Sequence, residues 1–413
     1  MFSTEYRSVC EQVSDLAHSP ARSLDSLPSG VPSDFAPFLW APGFGQDGDL
    51  DRDIFARSAQ LKNAFYERRL FVIVPIYVTS ICQEQCVYCN FRAGNKGIGV
   101  QRKRLTIEEL EKEALYLINE KNMRVLELVY SSDPQMRIDT MCRHVELLRR
   151  LLEQHGGGLV GLSAEPFDEA DYRRLVNAGL CWSVVWQETY DKSRYASLHP
   201  GKTKKTHFEY RLDSYDRMLA AAVPHVGVGV LSGLSDWRRD WATLMMHEDY
   251  LRKRYGNGAT IIGTPRLKLA PGAIFQESPC TPTRQEFLAT IALHNIFSPS
   301  TAPFVSTREN WDICIELAKG GGCLFTLNCS TTPGGYSQEH HSCQFTSGSY
   351  DAPIYSEKLT ALGFHPVFNW KSNDLSREYH PVAVTGGGTI NRVRGSSIAP
   401  AAEERTHTAD FTA

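Results

Sequence analysis

Apolar runs of strand length alternate with longer stretches of helical periodicity along most of the chain. Eight runs rich in Val, Ile, Leu and aromatic residues read as strands: 72–78, 125–130, 159–163, 181–186, 225–230, 259–264, 302–306 and 323–328. Between them, apolar positions at helical spacing predict helices over 107–121, 137–154, 169–178, 211–222, 237–254, 283–296 and 309–319. The start of the 107–121 helix is marked by a Thr106–Glu109 capping box and a Leu105–Leu110 staple. Regular strand–helix alternation implies parallel strands with helices outside them. Eight such units predict a closed (β/α)8 TIM-type barrel, whose chemistry sits at the C-terminal ends of the strands.

Residues 18–50, rich in Pro, Ser, Gly and Asp, read as loop-rich, within an N-terminal extension covering 1–65. The barrel is expected over 66–370, with a substrate-side half from about residue 240. Residues 371–413 are expected to form a mobile tail, because 384–413 hold few large apolar side chains. The Gly386–Gly388 run there lacks the flanking strand and helix of a phosphate loop.

Composition adds exclusions. A net charge of −3 gives no reason to expect a nucleic-acid or anionic-membrane partner. No run of 18 apolar residues predicts a membrane span, and the first residues lack the pattern of a secretory signal. Eleven scattered cysteines do not look like a disulfide framework, and a reducing cytoplasm is the expected compartment.

The main chemical signal is Cys82, Cys86 and Cys89, a CxxxCxxC run directly after the first strand. Three thiolates in one loop, with no second CxxC pair, suit three irons of a [4Fe–4S] cube and leave the fourth iron open. A zinc site is the competing reading, although structural zinc normally closes with a fourth Cys or His.

The run YVTSICQEQCVYCNFR (77–92) resembles the cluster loop of radical S-adenosylmethionine (SAM) enzymes. Segments 186–217, 225–240, PRLKLAPG (265–272), STREN (306–310) and STTPGGY (330–336) follow in order, and together resemble the aromatic amino-acid lyases of that group. The resemblance implies one [4Fe–4S] cluster, SAM as cofactor, and a 5′-deoxyadenosyl radical that attacks a bound amino acid. It implies Cα–Cβ cleavage, most simply of L-tyrosine to dehydroglycine and p-cresol, with an electron from flavodoxin or ferredoxin. Cleavage or rearrangement of tryptophan or another amino acid is the alternative, and a non-catalytic iron–sulfur scaffold is a third reading.

Carried over by position, the resemblance assigns the cluster to Cys82, Cys86 and Cys89. It places Tyr88 near the adenine, or simply over the cluster. Asp133 stands where a Gly-Gly-Glu-like segment would meet the SAM amine. Glu165 is implied at the ribose or the amino group, and Arg211 at the SAM carboxylate. Gln187 and Glu188 end the fourth strand, facing cofactor or substrate or bracing the loop. Gly227, Gly229 and Gly233 would admit the adenine. Arg308 would hold the substrate carboxylate, against a plain ion pair with Glu309 or Glu316. Ser330 would support it, and Tyr77 would sit near the substrate amine or ring and relay a proton, against a purely structural tyrosine. Pro333–Tyr336 is expected to close the mouth. Asn328 and Cys329 replace small residues and would polarise the pocket wall. Cys323, Cys329 and Cys343 are expected to be core thiols rather than a second cluster.

Overall fold

The computed structural model describes residues 1–24, 30–95, 97, 101–263, 265–268, 270, 272–275, 278–337, 343–345 and 347–375. The Gly386–Gly388 run and the tail beyond 375 lie outside the described residues.

Eight parallel strands form the barrel: β1 (Arg69–Thr79), β2 (Val125–Tyr130), β3 (Leu159–Ser163), β4 (Trp182–Val184), β5 (His225–Gly229), β6 (Ile261–Gly263), β7 (Ala302–Val305) and β8 (Leu324–Thr326). Each strand pairs with its neighbour in sequence, and β1 pairs with both β2 and β8 to close the ring. The eleven-residue β1 is long enough also to take a short strand β9 (His365–Val367) against Arg69–Phe71.

The register shows how the ring closes. Partners run from Tyr77 through Val129, Ser163, Val184, Gly227 and Ile261 to Ala302. Extending the β7–β8 and β8–β1 pairings two residues downward returns to β1 at Arg69, eight residues below the start. That stagger is the shear of a (β/α)8 barrel. It sets which side chains share a level inside: Tyr77, Glu165, Leu231 and Arg308 fall together at the top.

Helices between the strands cover the outside, each burying an apolar face on the sheet. In the helix Ile107–Asn119, Thr106 and Glu109 form the reciprocal capping box, with Leu105 and Leu110 buried behind it. The region predicted as one helix over 211–222 is split into Phe208–Leu212 and Ser214–Ala220. At the break, the carboxylate of Asp213 accepts bonds from the backbone and hydroxyl of Ser3.

The N-terminal region is more ordered than its composition suggests. Helix Tyr6–Leu16 packs on Trp237–Tyr255, and helix Asp49–Tyr66 packs on Arg284–Phe297. Lys62 is buried there and donates to the carbonyl of Pro299 at 2.8 Å. Residues 371–375, expected in the tail, instead pack on the barrel: Ser372 bonds His225, Asp374 pairs with Arg69, and Leu375 is buried.

The lower half of the barrel is filled by Trp182. Its indole occupies the space that a Cβ at Gly161 would need, 1.7 Å away, and it stacks on Trp370 beneath. The upper half is open.

Candidate active site

The cysteine loop leaves the top of β1 and folds over the rim. Its path is pinned by backbone bonds from Gln83 to Ser132, from Ala93 to Glu84 and from Val87 to Leu198. Arg102 donates to the carbonyls of Ser80 and Arg92 and ties the loop's ends together. Cys82, Cys86 and Cys89 are all free thiols and all line the cavity in the open half of the barrel. Backbone amides of Glu84 and Phe91 point at the sulfurs of Cys82 and Cys89, at 3.4 Å each. Burial pushes the Cys82 thiol up to about 11 and that of Cys86 up to about 12, and raises Cys89 as well. Thiols so disfavoured as anions need a bound metal to become thiolates.

Opposite this loop lie two groups of charge. Glu188 has a left-handed backbone (φ 74°) just past β4, which turns its carboxylate into the cavity. Burial opposes its charge, but Lys205 at 2.7 Å and Arg211 at 3.3 Å outweigh that and hold it down at about 2. Arg211 is fixed further by donating to the Trp186 carbonyl. Glu165 also lines the cavity, with burial raising its carboxyl and one oxygen buried without a partner.

The second group is Arg308, three residues past β7. Its guanidinium lies 3.7 Å over the Phe345 ring, and its buried Nε has no acceptor. No carboxylate pairs with it among the described residues. Glu309 is taken by Arg266 and Lys268, and Glu316 by Lys319, so the plain ion-pair reading is excluded. Tyr77 stands at the same level and donates to Gln344 Oε1 at 2.8 Å. Burial raises the Tyr77 phenol well above its ordinary value, so it keeps its proton. Gln344 in turn directs its amide nitrogen to the Cys89 sulfur at 3.9 Å.

Several expected positions fall elsewhere. Asp133 does not line the cavity: Arg104 grips both its oxygens at 2.6 and 2.7 Å, and Thr79 donates to it as well. Its neighbours Ser131 and Ser132 do line the cavity, and Ser131 pins β1 by donating to Thr79 and Ile81. Gln187 is fully buried behind the wall. Ser330 is absent from the lining, its backbone amide donating to the Tyr336 hydroxyl. Tyr336 is held by Glu113 and by the Pro75 carbonyl, so the Pro333–Tyr336 loop is a fixed buttress. A Cβ at Gly227 would meet Val184, one at Gly229 the Gly263 carbonyl and then Trp186, and one at Gly233 Thr281. Asn328 uses its left-handed backbone (φ 52°) to cap the helix Ala352–Ala361, whereas Cys329 does line the cavity. Tyr88 lines it too, with its hydroxyl 2.8 Å from His199 Nε2.

The lining residues that the sequence reading did not single out include Gln344, Glu127, Lys205 and Phe345. Glu127 is an acid at an inward position of an otherwise apolar strand, and that break in pattern was the available signal.

Residues 76–244 match the Radical SAM superfamily profile. Over 325 residues the chain is 31% identical to a protein of Escherichia coli (strain K12) named 2-iminoacetate synthase, covering 77% of this chain and 82% of that protein. The chain belongs to the radical SAM aromatic amino-acid lyase family. The X-ray structure of the FeFe-hydrogenase maturase HydG from Carboxydothermus hydrogenoformans superimposes with a TM-score of 0.75 at 25% identity, covering 90% of this chain and 82% of that one. Methylornithine synthase (PylB) shares the fold, with a TM-score of 0.64 at 18% identity over 89% of this chain and 98% of that one. As a radical SAM lyase, the chain is an enzyme that binds a [4Fe–4S] cluster and SAM, and needs a small-molecule substrate and a reductant. The three thiols, facing one cavity with cationic and acidic groups across from them, fit that pair of cofactors. No described helix is long and apolar enough to cross a membrane.

Proposed function

We propose that this chain cleaves the Cα–Cβ bond of L-tyrosine, giving dehydroglycine and p-cresol. One observation carries the reading: the guanidinium of Arg308 faces the thiol-lined cavity with no anion among the described residues to neutralise it. A half-buried cation without a partner is costly, and a substrate carboxylate supplies the missing charge through paired N–H donors. Tyr77, at the same level, keeps its proton and is oriented by Gln344, so it is placed to hydrogen-bond the substrate amine.

Cys82, Cys86 and Cys89 hold the cluster in this reading, while Arg211 and Lys205 offer positive charge to the SAM carboxylate. Glu165 offers its partnerless oxygen to the ribose or the amino group, and Tyr88 gives the adenine a flat neighbour. With Asp133 engaged by Arg104, Ser131 and Ser132 are the cavity-facing groups of that segment. When bound, cluster and SAM supply a 5′-deoxyadenosyl radical for hydrogen abstraction from the substrate. The rigid barrel walls fix the substrate and exclude water. Flavodoxin or ferredoxin is the electron donor in this reading, and the cytoplasm is the compartment.

The test is anaerobic reconstitution, then SAM and dithionite with single amino acids. L-Tyrosine is expected to give 5′-deoxyadenosine, p-cresol and glyoxylate by mass spectrometry. Turnover of a different amino acid, with no p-cresol from tyrosine, would overturn the proposal.

A further inference from the structure

The barrel interior holds a second polar group, deep beneath Arg308, that the site described so far does not use. Glu127 lies on β2, in register with Pro75 two residues below Tyr77, and its side chain reaches the floor of the cavity. Trp182, the plug beneath, donates its indole N–H to Oε1 of Glu127 at 3.2 Å. The second carboxylate oxygen has no protein partner among the described residues, and the residue keeps a small exposure toward the cavity. The walls between Arg308 and Glu127 are mainly apolar and aromatic, with Val129, Val184, Trp186 and Phe304, and carry the hydroxyls of Ser163 and Thr326 among them. An acid at the end of a mainly apolar shaft is a specific acceptor rather than a solvated surface charge.

The depth fits one kind of molecule. The barrel stagger puts Glu127 three residue levels below the level shared by Tyr77 and Arg308. At about 3.3 Å per residue along a tilted strand, that is roughly 8 Å, the reach of an aromatic amino acid from its carboxylate to a substituent at the far end of its ring. We infer that Glu127 accepts a hydrogen bond from the para-hydroxyl of the substrate ring, so that the site selects a 4-hydroxyphenyl amino acid over phenylalanine. This deepens the proposed function and rests on Arg308 holding the carboxylate at the other end. Burial raises the Glu127 carboxyl to about 7, as expected for an acid whose charge the empty protein satisfies with only one donor. A phenolic O–H supplies the second. Phenylalanine leaves that oxygen buried and unpaired, which is how a hydrogen-bonding site rejects an analogue lacking the hydroxyl.

The experiment measures binding without turnover: calorimetry on cluster-loaded protein with SAM and no reductant, titrated with L-tyrosine and with L-phenylalanine. The parent protein is expected to prefer tyrosine by about 10- to 100-fold. In Glu127→Leu the preference should shrink to within roughly threefold, through weaker tyrosine binding and not through weaker phenylalanine binding. Glu127→Gln keeps the shape and a neutral acceptor; it decides the matter if the leucine variant loses its fold or its iron. It should weaken tyrosine by about tenfold and leave phenylalanine unchanged. An unchanged tyrosine-to-phenylalanine ratio in a folded variant, with p-cresol still formed by the parent, overturns the role of Glu127 alone. A parent protein that binds neither amino acid, yet forms 5′-deoxyadenosine with another, overturns this inference together with the tyrosine reading.

Discussion

Replacing Arg308 separates its role as a carboxylate anchor from a role in packing. Among the described residues the guanidinium has a ring on one face, no acid beside it and an acceptor-free Nε, so the cation–π contact with Phe345 is the contact it gains in the empty protein. That contact is worth about 0.5–2 kcal/mol and is opposed by desolvation, which also lowers the Arg308 pKa. Substrate binding adds a charge-assisted pair, each hydrogen bond contributing about 1.5–3 kcal/mol. Arg308→Met should therefore reduce kcat/KM for L-tyrosine by about 3–4 kcal/mol in ΔΔG‡, or about 10²- to 10³-fold. The melting temperature of the ligand-free protein should stay level or rise. Tyramine, which lacks the carboxylate, provides the control: its affinity should be nearly equal in parent and variant. The assay is anaerobic deoxyadenosine and p-cresol production, paired with calorimetric binding of both amines and an iron count. Equal losses for tyrosine and tyramine, or a tenfold or smaller loss for tyrosine, would refute the anchoring argument.

Three further outcomes follow from the same geometry. Cys86→Ala should leave a folded protein with less iron after reconstitution and no reductive SAM cleavage, read by iron analysis and the 400 nm absorbance region. Gly161→Ala should destabilise the barrel by at least about 3 kcal/mol, because the new methyl would lie 1.7 Å from the rigid Trp182 ring and the strand backbone cannot withdraw; chemical denaturation reads it. Acid should weaken the fold through His144 and His225, which burial lowers to about 4 each. Unfolded histidine titrates near 6.5, so below that pH the unfolded chain binds more protons. Stability is then full above about pH 6.5 and falls toward pH 4, on the order of 3–6 kcal/mol for the two together. Urea midpoints of cluster-free protein at pH 7.5, 6 and 5 check the direction.

The barrel was legible because continuous apolar and β-branched runs of strand length alternate with stretches of helical periodicity, and the eight strands occur within a few residues of their expected places. Helix Asp49–Tyr66 was hidden because the face it buries carries Asp51, Ser58 and Lys62 beside Ile54 and Tyr66, so no apolar helical stripe marks it, and a Pro- and Gly-rich stretch that reads as loop precedes it. Cys82, Cys86 and Cys89 were expected together from their spacing, and the three thiols do line one cavity. Asp133 was not, because its fate depends on Arg104, which sequence separation does not place beside it. Ser330 and Gln187 lie on the right segments but face away from the cavity, a matter of side-chain direction at strand ends that motif matching does not resolve. Gln344 sits in a polar loop with no periodicity and becomes meaningful only once the fold brings it between Tyr77 and Cys89.

The tryptophan that blocks the lower barrel also governs traffic. With Trp182 and Trp370 stacked below, a molecule seated on Arg308 must arrive and depart by the rim where the three thiols stand. Whatever occupies that rim becomes the lid for whatever lies beneath. With a nucleoside held at that rim, the amino acid would have to load first, and a fragment below would leave only after the rim clears.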